Sequence, residues 1–325
     1  MNRLRCILPV VLLVAVGLDA SNGLGQSYPS KPVRIVVDMA AGGPVDITAR
    51  LISQKLAEAW KQPVLVDNQA GAAGQIGANA VAKAAPDGYT LLLCSDSLPI
   101  GPALSSKLPF NAAKDFVPVT QLIASPAILV VGPKLPAAST SELIALAKSR
   151  PGGLNYGHSG VGASLHLGME QFKLSAGIDI LGIPYKGVAL ISNALMADEV
   201  DLAVMPLSTS LAAVKAGRLR ALSVFGARRL AALPDVPTVA EAGIKGVDAA
   251  SWHALFAPAK TPRDIVELIQ REAVKALNMP DVRDRLLGTG LELVGSTPEE
   301  FDAKYKADLG KFARIVKEAR IPLQN

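Results

Sequence analysis

The sequence predicts an α/β protein built from two similar lobes, and two observations carry that reading. Short β-branched and leucine-rich runs alternate with amphipathic helical stretches, which is the pattern of α/β units around a largely parallel sheet. The alternation also occurs in two series, each presenting a strand, a glycine loop without lysine and a helix. The echo is too loose for a solenoid or propeller repeat. With 325 residues, 50% of them hydrophobic, the chain can bury one large or two medium cores.

The first series opens with VRIVV (33–37) as a strand, followed by a glycine loop and a helix over 47–60 whose Ile47, Leu51, Ile52, Leu56 and Ala59 share one face. VLV (64–66) reads as the next strand, GAAGQIG (71–77) as a second glycine loop, and 78–85 as a helix. Pro86-Asp87-Gly88 then breaks the chain before a strand over 90–94. The second series begins with AILVV (127–131) and a helix over 141–149, then Leu154-Asn155-Tyr156, a helix over 164–176, and strands over 202–205 and 221–225. A proline-spaced segment leads to SWHALF (251–256), and helices over 262–277 and 298–319 complete the pattern.

Arg3 and Arg5 precede an apolar run over 7–16, with small polar residues after it. That layout predicts a cleaved secretory signal peptide over roughly residues 1–27, its apolar core too short to span a membrane. Cys6 precedes the run rather than following it, which argues against a lipid anchor. Losing Arg3, Arg5 and Asp19 lowers the formal charge by one from +5. Basic residues are scattered and aromatics reach only 4%, so the basic patch with stacking rings that nucleic-acid binding needs is missing. Cys94 would be the lone cysteine of the exported chain, and no internal disulfide is possible.

The stretch GHSGVGASLH (157–166) holds two of the three histidines and invites three chemical readings. A nucleophile elbow needs G-x-S-x-G, and Gly157-His158-Ser159-Gly160-Val161 lacks the last glycine. Nucleotide loops need G-x-x-x-x-G-K-[ST] or G-x-G-x-x-G, and neither this stretch nor GAAGQIG fits. Metal binding needs clustered ligands, whereas His158 and His166 lie eight apart with no H-E-x-x-H or C-x-x-C nearby. No metal and no cofactor is expected.

Anion recognition fits better. Helix N-termini offer unpaired N–H groups and a positive dipole end, and glycine lets a ligand approach the backbone. Residues 40–46 and 159–164 both place such a loop before a helix. The alternative is that the glycines only make tight turns and that Asp46 or Ser164 caps its helix.

At these residues the chain resembles the Bug-type substrate-binding proteins of tripartite tricarboxylate transporters. YPSKPVRIVV (28–37) resembles the start of the mature family sequence. APDGYTLL (85–92), PYKG (184–187), LPDVPT (233–238) and GSTPEEF (295–301) resemble later family motifs in the same order. The match spans residues 28–320.

The resemblance implies a type II periplasmic binding protein fold, two α/β lobes joined by two crossover segments, that closes on a small organic carboxylate without catalysis. It implies a discontinuous first lobe over 28–124 and 251–325, a second lobe over 125–250, a periplasmic location, and a membrane permease as partner. A monomer is expected, since hinging lobes need no second copy. The family's ligand loops map onto Met39, Ala41, Gly42, Gly43, Pro44, Val45 and Asp46; Ser95, Asp96 and Ser97; Ser159, Gly160, Val161, Gly162, Ala163, Ser164 and His166; and Met205 after the strand over 202–205.

Two departures matter. The family's first loop commonly reads P-P-G-G-S-T-D, and here Pro44 and Val45 replace Ser-Thr, which removes up to two donors. The turn after 202–205 is apolar where relatives often carry an acid or amide, so a di- or tricarboxylate or an aromatic acid is expected over an amino acid. Two rivals are a ligand-sensing partner of a signalling system on the same fold, and a secreted serine hydrolase using Ser159.

Overall fold

The computed structural model describes residues 28–324, and the expected signal peptide lies outside them. β1 (Val33–Val37) is buried almost throughout, as a central strand with helices on both faces must be. Its exit feeds α1 (Pro44–Trp60), β2 (Val64–Asn68), α2 (Gln75–Ala82), β3 (Thr90–Cys94) and α3 (Ser97–Leu104). β4 (Phe116–Ser125) ends this first run, and one residue later β5 (Ala127–Val131) starts a second sheet.

The second run continues through α4 (Thr140–Ser149), β6 (Asn155–His158), α5 (Ser164–Ala176), β7 (Leu181–Pro184), α6 (Val188–Met196), β8 (Leu202–Pro206), α7 (Leu207–Lys215) and β9 (Arg220–Phe225). The chain then returns through β10 (Ser251–Pro258), α8 (Arg263–Leu277), α9 (Pro280–Gly288), β11 (Glu292–Leu293) and α10 (Pro298–Glu318). Thr297 and Glu300 form a capping box at the start of α10, with Pro298 at its first position, so GSTPEEF is a helix-start signal.

The first sheet has the order β11-β4-β10-β3-β1-β2 and the second β7-β6-β8-β5-β9. Alternation along each strand divides the cores. Val33, Ile35 and Val37 face α1 and α8, whereas Val36 joins Trp252, Phe256 and Phe301 on the other face. In the second sheet Leu129 and Val131 pack with Met169 and Phe172 of α5. Ile128, Val130 and Met205 pack on the opposite side. A smaller cluster joins the two halves, with Leu167 of α5 against Ile100, Leu104, Phe312 and Ile315.

Both sheets are mixed rather than largely parallel. β10 runs antiparallel to β3 and β4, and β5 antiparallel to β8 and β9. The cause is topological: β4 carries the chain toward the second sheet and β10 carries it back, and the two pair from Phe116 and Pro258 to Ser125 and Ser251. Between them the chain passes from one sheet to the other at Pro126 and over residues 226–250.

Candidate functional site

β1 and β3 run parallel, as do β6 and β8, so the helices that follow them all begin at strand C-terminal ends. That is where open α/β sheets bind ligands. α1, α3, α5 and α7 start there, and in none does the N-cap side chain accept from the first turn. In α3, however, Ser97 N donates to Ser95 Oγ and Leu98 N to the Ser95 carbonyl, each at 3.4 Å, and in α7 Leu207 N donates to the Pro126 carbonyl at 3.0 Å. Their N-termini bring positive dipole ends to one cleft.

The cleft contains two adjoining cavities of about 850 and 390 Å³. Met39, Ser95, Asp96, Ser159, Ala163 and Ser164 line both. The larger adds Asp38, Gly42, Gly43, Gly71, Gly74, Gln75 and Val161; the smaller adds apolar Val45, Ile47, Leu165, Val188, Leu286 and Leu291 with polar Ser208, Thr209, Ser251 and His253. Among the described residues no Lys or Arg lines either cavity.

Asp96 joins the walls. Its Oδ2 accepts from Ser164 Oγ at 2.5 Å and its Oδ1 from Ser251 Oγ at 2.8 Å. Burial raises its pKa, and those two hydroxyls partly oppose the rise. Asp38, one residue past β1, is 3% exposed. Its Oδ2 accepts from Ser97 Oγ at 2.7 Å, and its Oδ1 has no partner. Burial pushes its pKa up to about 7 against the Ser97 hydrogen bond, and Asp96 adds to the rise.

The glycine amides in both loops are already engaged. Gly42 N donates to Asp46 Oδ2 at 2.8 Å and Gly43 N to the Ala40 carbonyl at 3.4 Å. Gly160 N donates to His158 Nδ1 and Gly162 N to His166 Nδ1, each at 3.2 Å. Accepting an N–H requires a bare ring nitrogen, and burial favours that neutral form by lowering His158 and bringing His166 down to about 4. The histidines therefore shape the loop. Among the described residues no cluster of three metal-ligating side chains occurs.

His253 sits on β10 with Nδ1 2.9 Å from Thr48 Oγ1 and lines the smaller cavity. Gln324 closes one rim: its backbone N donates to the Leu104 carbonyl at 2.7 Å and its Nε2 to the Val161 carbonyl at 2.8 Å.

Residues 48–321 match the family described as tripartite tricarboxylate transporter family receptor. The chain belongs to that family. It is 34% identical to protein BugT of Bordetella pertussis over 326 residues, all of both chains. It is similar to R. palustris Rpa4515, solved with adipate, at 34% identity, TM-score 0.76, covering 91% of this chain and 100% of that one. It is also similar to MatC of Rhodopseudomonas palustris, solved with bound malate, at 31% identity, TM-score 0.72, covering 89% and 100%. The fold is the two-lobed α/β fold of periplasmic binding proteins. Family members and structural neighbours are binding proteins rather than enzymes, which removes Ser159 from consideration as a nucleophile.

Within this receptor fold, fifteen of the family-mapped positions line the cavities: Met39, Ala41, Gly42, Gly43, Pro44, Val45, Ser95, Asp96, Ser97, Ser159, Gly160, Val161, Gly162, Ala163 and Ser164. Three do not. Asp46 is tied to Gly42, Arg50 and Asn68; burial raises its pKa, but those three bonds outweigh it and the net shift is down. His166 sits behind its loop, and Met205 is fully buried in the second core. Strand parity turns Met205 inward, and Pro206, Ser208 and Thr209 line the wall instead.

Asp38, Ser251, His253, Thr289 and Gln324 were not among the sequence candidates. Asp38 directly precedes the mapped loop and had a sequence signal, an acid immediately after the apolar run Ile35-Val36-Val37. Leu286 and Leu291 had none, since α9 is remote in sequence from the rest of the cleft.

Proposed function

We propose that this receptor is a periplasmic solute-binding protein that closes lobes of residues 28–124 with 251–325 and of residues 125–250 on a small organic carboxylate, for delivery to a tripartite-transporter permease. The observation that carries the reading is the convergence of four helix N-termini on one cleft without a cationic side chain, three of them, those of α1, α5 and α7, with first-turn amides to offer. Each hydrogen bond to a charged group contributes roughly 1.5–3 kcal/mol, and micromolar affinity needs about 8 kcal/mol. Four or so contacts from first-turn amides and from Ser159 or Ser208 suffice; the Thr209 hydroxyl is already given to the Pro206 carbonyl.

This assignment moves the donors from the glycine amides, which have internal acceptors, to the helix first turns. The neighbours solved with adipate and malate support a carboxylate ligand. The apolar lining of the smaller cavity supports an aliphatic or aromatic body. Asp38 and Asp96, with no Lys or Arg in the cavity lining, favour a ligand with one or two carboxylates over a tricarboxylate. Native mass spectrometry of the purified protein, followed by calorimetry against mono-, di- and tricarboxylates and aromatic acids, tests the reading. Saturable binding of an uncharged solute with no response to any carboxylate would overturn it.

A further inference from the structure

A buried carboxylate presents about four lone-pair directions, and leaving one oxygen unpaired is costly. Asp38 is in that condition: Ser97 serves Oδ2, the residue's own backbone N–H is the other hydrogen-bonding group beside the carboxylate, and the buried Oδ1 has no hydrogen-bond partner among the described residues. The surroundings are fitted to this side chain. A Cβ at Gly74 would come within 2.5 Å of Asp38 Oδ2, and one at Gly77 within 3.0 Å of its Cα. GAAGQIG, which matches no nucleotide loop, is thus the cradle of Asp38. The residue lines the larger cavity, with Asp96 as the other charged side chain on that wall.

We infer that Asp38 is a specificity-determining residue: it accepts a hydrogen bond from an O–H or N–H of the ligand, so the bound acid carries a hydroxyl or amino group besides its carboxylate. The inference rests on the carboxylate reading above. A plain alkyl chain against this wall leaves Asp38 unsatisfied, and a second carboxylate there meets a like charge. A donor completes the hydrogen bonding. The apolar turn after β8 lowered the expectation of an amino acid, and Asp38 supplies the missing acid from another element.

The test is calorimetry at pH 8 with matched pairs: malate against succinate, glutamate against glutarate, and 3-hydroxybutyrate against butyrate. Butane-1,3-diol serves as an uncharged control, and both wild type and Asp38→Asn are titrated. In at least one pair the wild type should bind the donor-bearing acid about tenfold or more tighter. Asp38→Asn should erase that preference while binding the plain acid as well or better. The wild-type comparison stands even if the variant folds poorly.

Equal or tighter wild-type binding of the plain acids overturns the role of Asp38 and leaves the carboxylate reading intact. Binding of the diol alone overturns the carboxylate reading, and its loss in Asp38→Asn would keep the role of Asp38. No binding by any of these compounds counts against both.

Discussion

Replacing Asp38 by Asn in the ligand-free protein should make stability less dependent on pH. The folded-state pKa of Asp38 stands at about 7 against an ordinary value of 3.8, a difference worth about 4 kcal/mol once the group is fully ionised. Because the folded value is the higher one, its contribution to stability is fully present below pH 3.8 and is lost as pH rises through 7. Between pH 5 and pH 8 the loss amounts to about 3 kcal/mol.

Asn does not titrate, so its stability relative to wild type should rise by about 3 kcal/mol over that interval, whatever fixed cost its amide brings. Asp96 and Cys94 have raised pKa values too, and they are present in both proteins, so their effects cancel to first order. Urea unfolding at unit pH steps measures the difference. A gap constant to within about 1 kcal/mol would refute the reasoning, because it would mean that Asp38 is not desolvated in the folded protein.

Ser164→Ala removes one of the two hydroxyls on buried Asp96 and should cost about 1–3 kcal/mol, read by denaturant titration, together with weaker carboxylate binding by calorimetry. Acid should act on His253 in the sense opposite to Asp38: it is buried and its pKa drops to about 4 in the folded state, so the unfolded chain takes its proton first. Its contribution, present above pH 6.5, should fall by about 3 kcal/mol on the way to pH 4, so His253→Gln should gain about that much stability relative to wild type over the interval, read by urea unfolding of both proteins. Gly74→Ala puts a methyl on Asp38 at a backbone φ of 91° and should destabilise by more than about 1 kcal/mol, measured by the same titration.

The strands over 33–37, 90–94 and 127–131 were legible because each is a short β-branched or leucine run bounded by loop residues. α5 was legible through its apolar spacing. α3, SLPIGPAL, was not: proline and glycine interrupt it and it has no polar face. Ala41 to Val45 and Ser159 to Ser164 could be placed at the cleft because glycine loops before helices have a local signature, whereas Met39 and Ser95 to Ser97 rested on the family resemblance alone.

What escaped depended on non-local geometry. The acceptors of the Gly160 and Gly162 amides are ring nitrogens, one on β6 and one in the first turn of α5, that only the folded loop brings into place. Met205 lies in a wholly apolar strand, LAVMP, so composition does not say which side chains face inward. The partial isolation of Asp38 results from Gly74 and Gly77 of a separate loop and helix.

The Gln324 contacts bear on how the protein should be handled. This residue ties the Leu104 carbonyl at the end of α3 to the Val161 carbonyl in the GHSGVGASLH loop, bridging two walls of the larger cavity. A pull on Gln324 would be passed to the loop that borders the larger cavity. Anchoring the protein near Gln324 would therefore load that loop, whereas anchoring it near Tyr28 would leave the bridge unloaded.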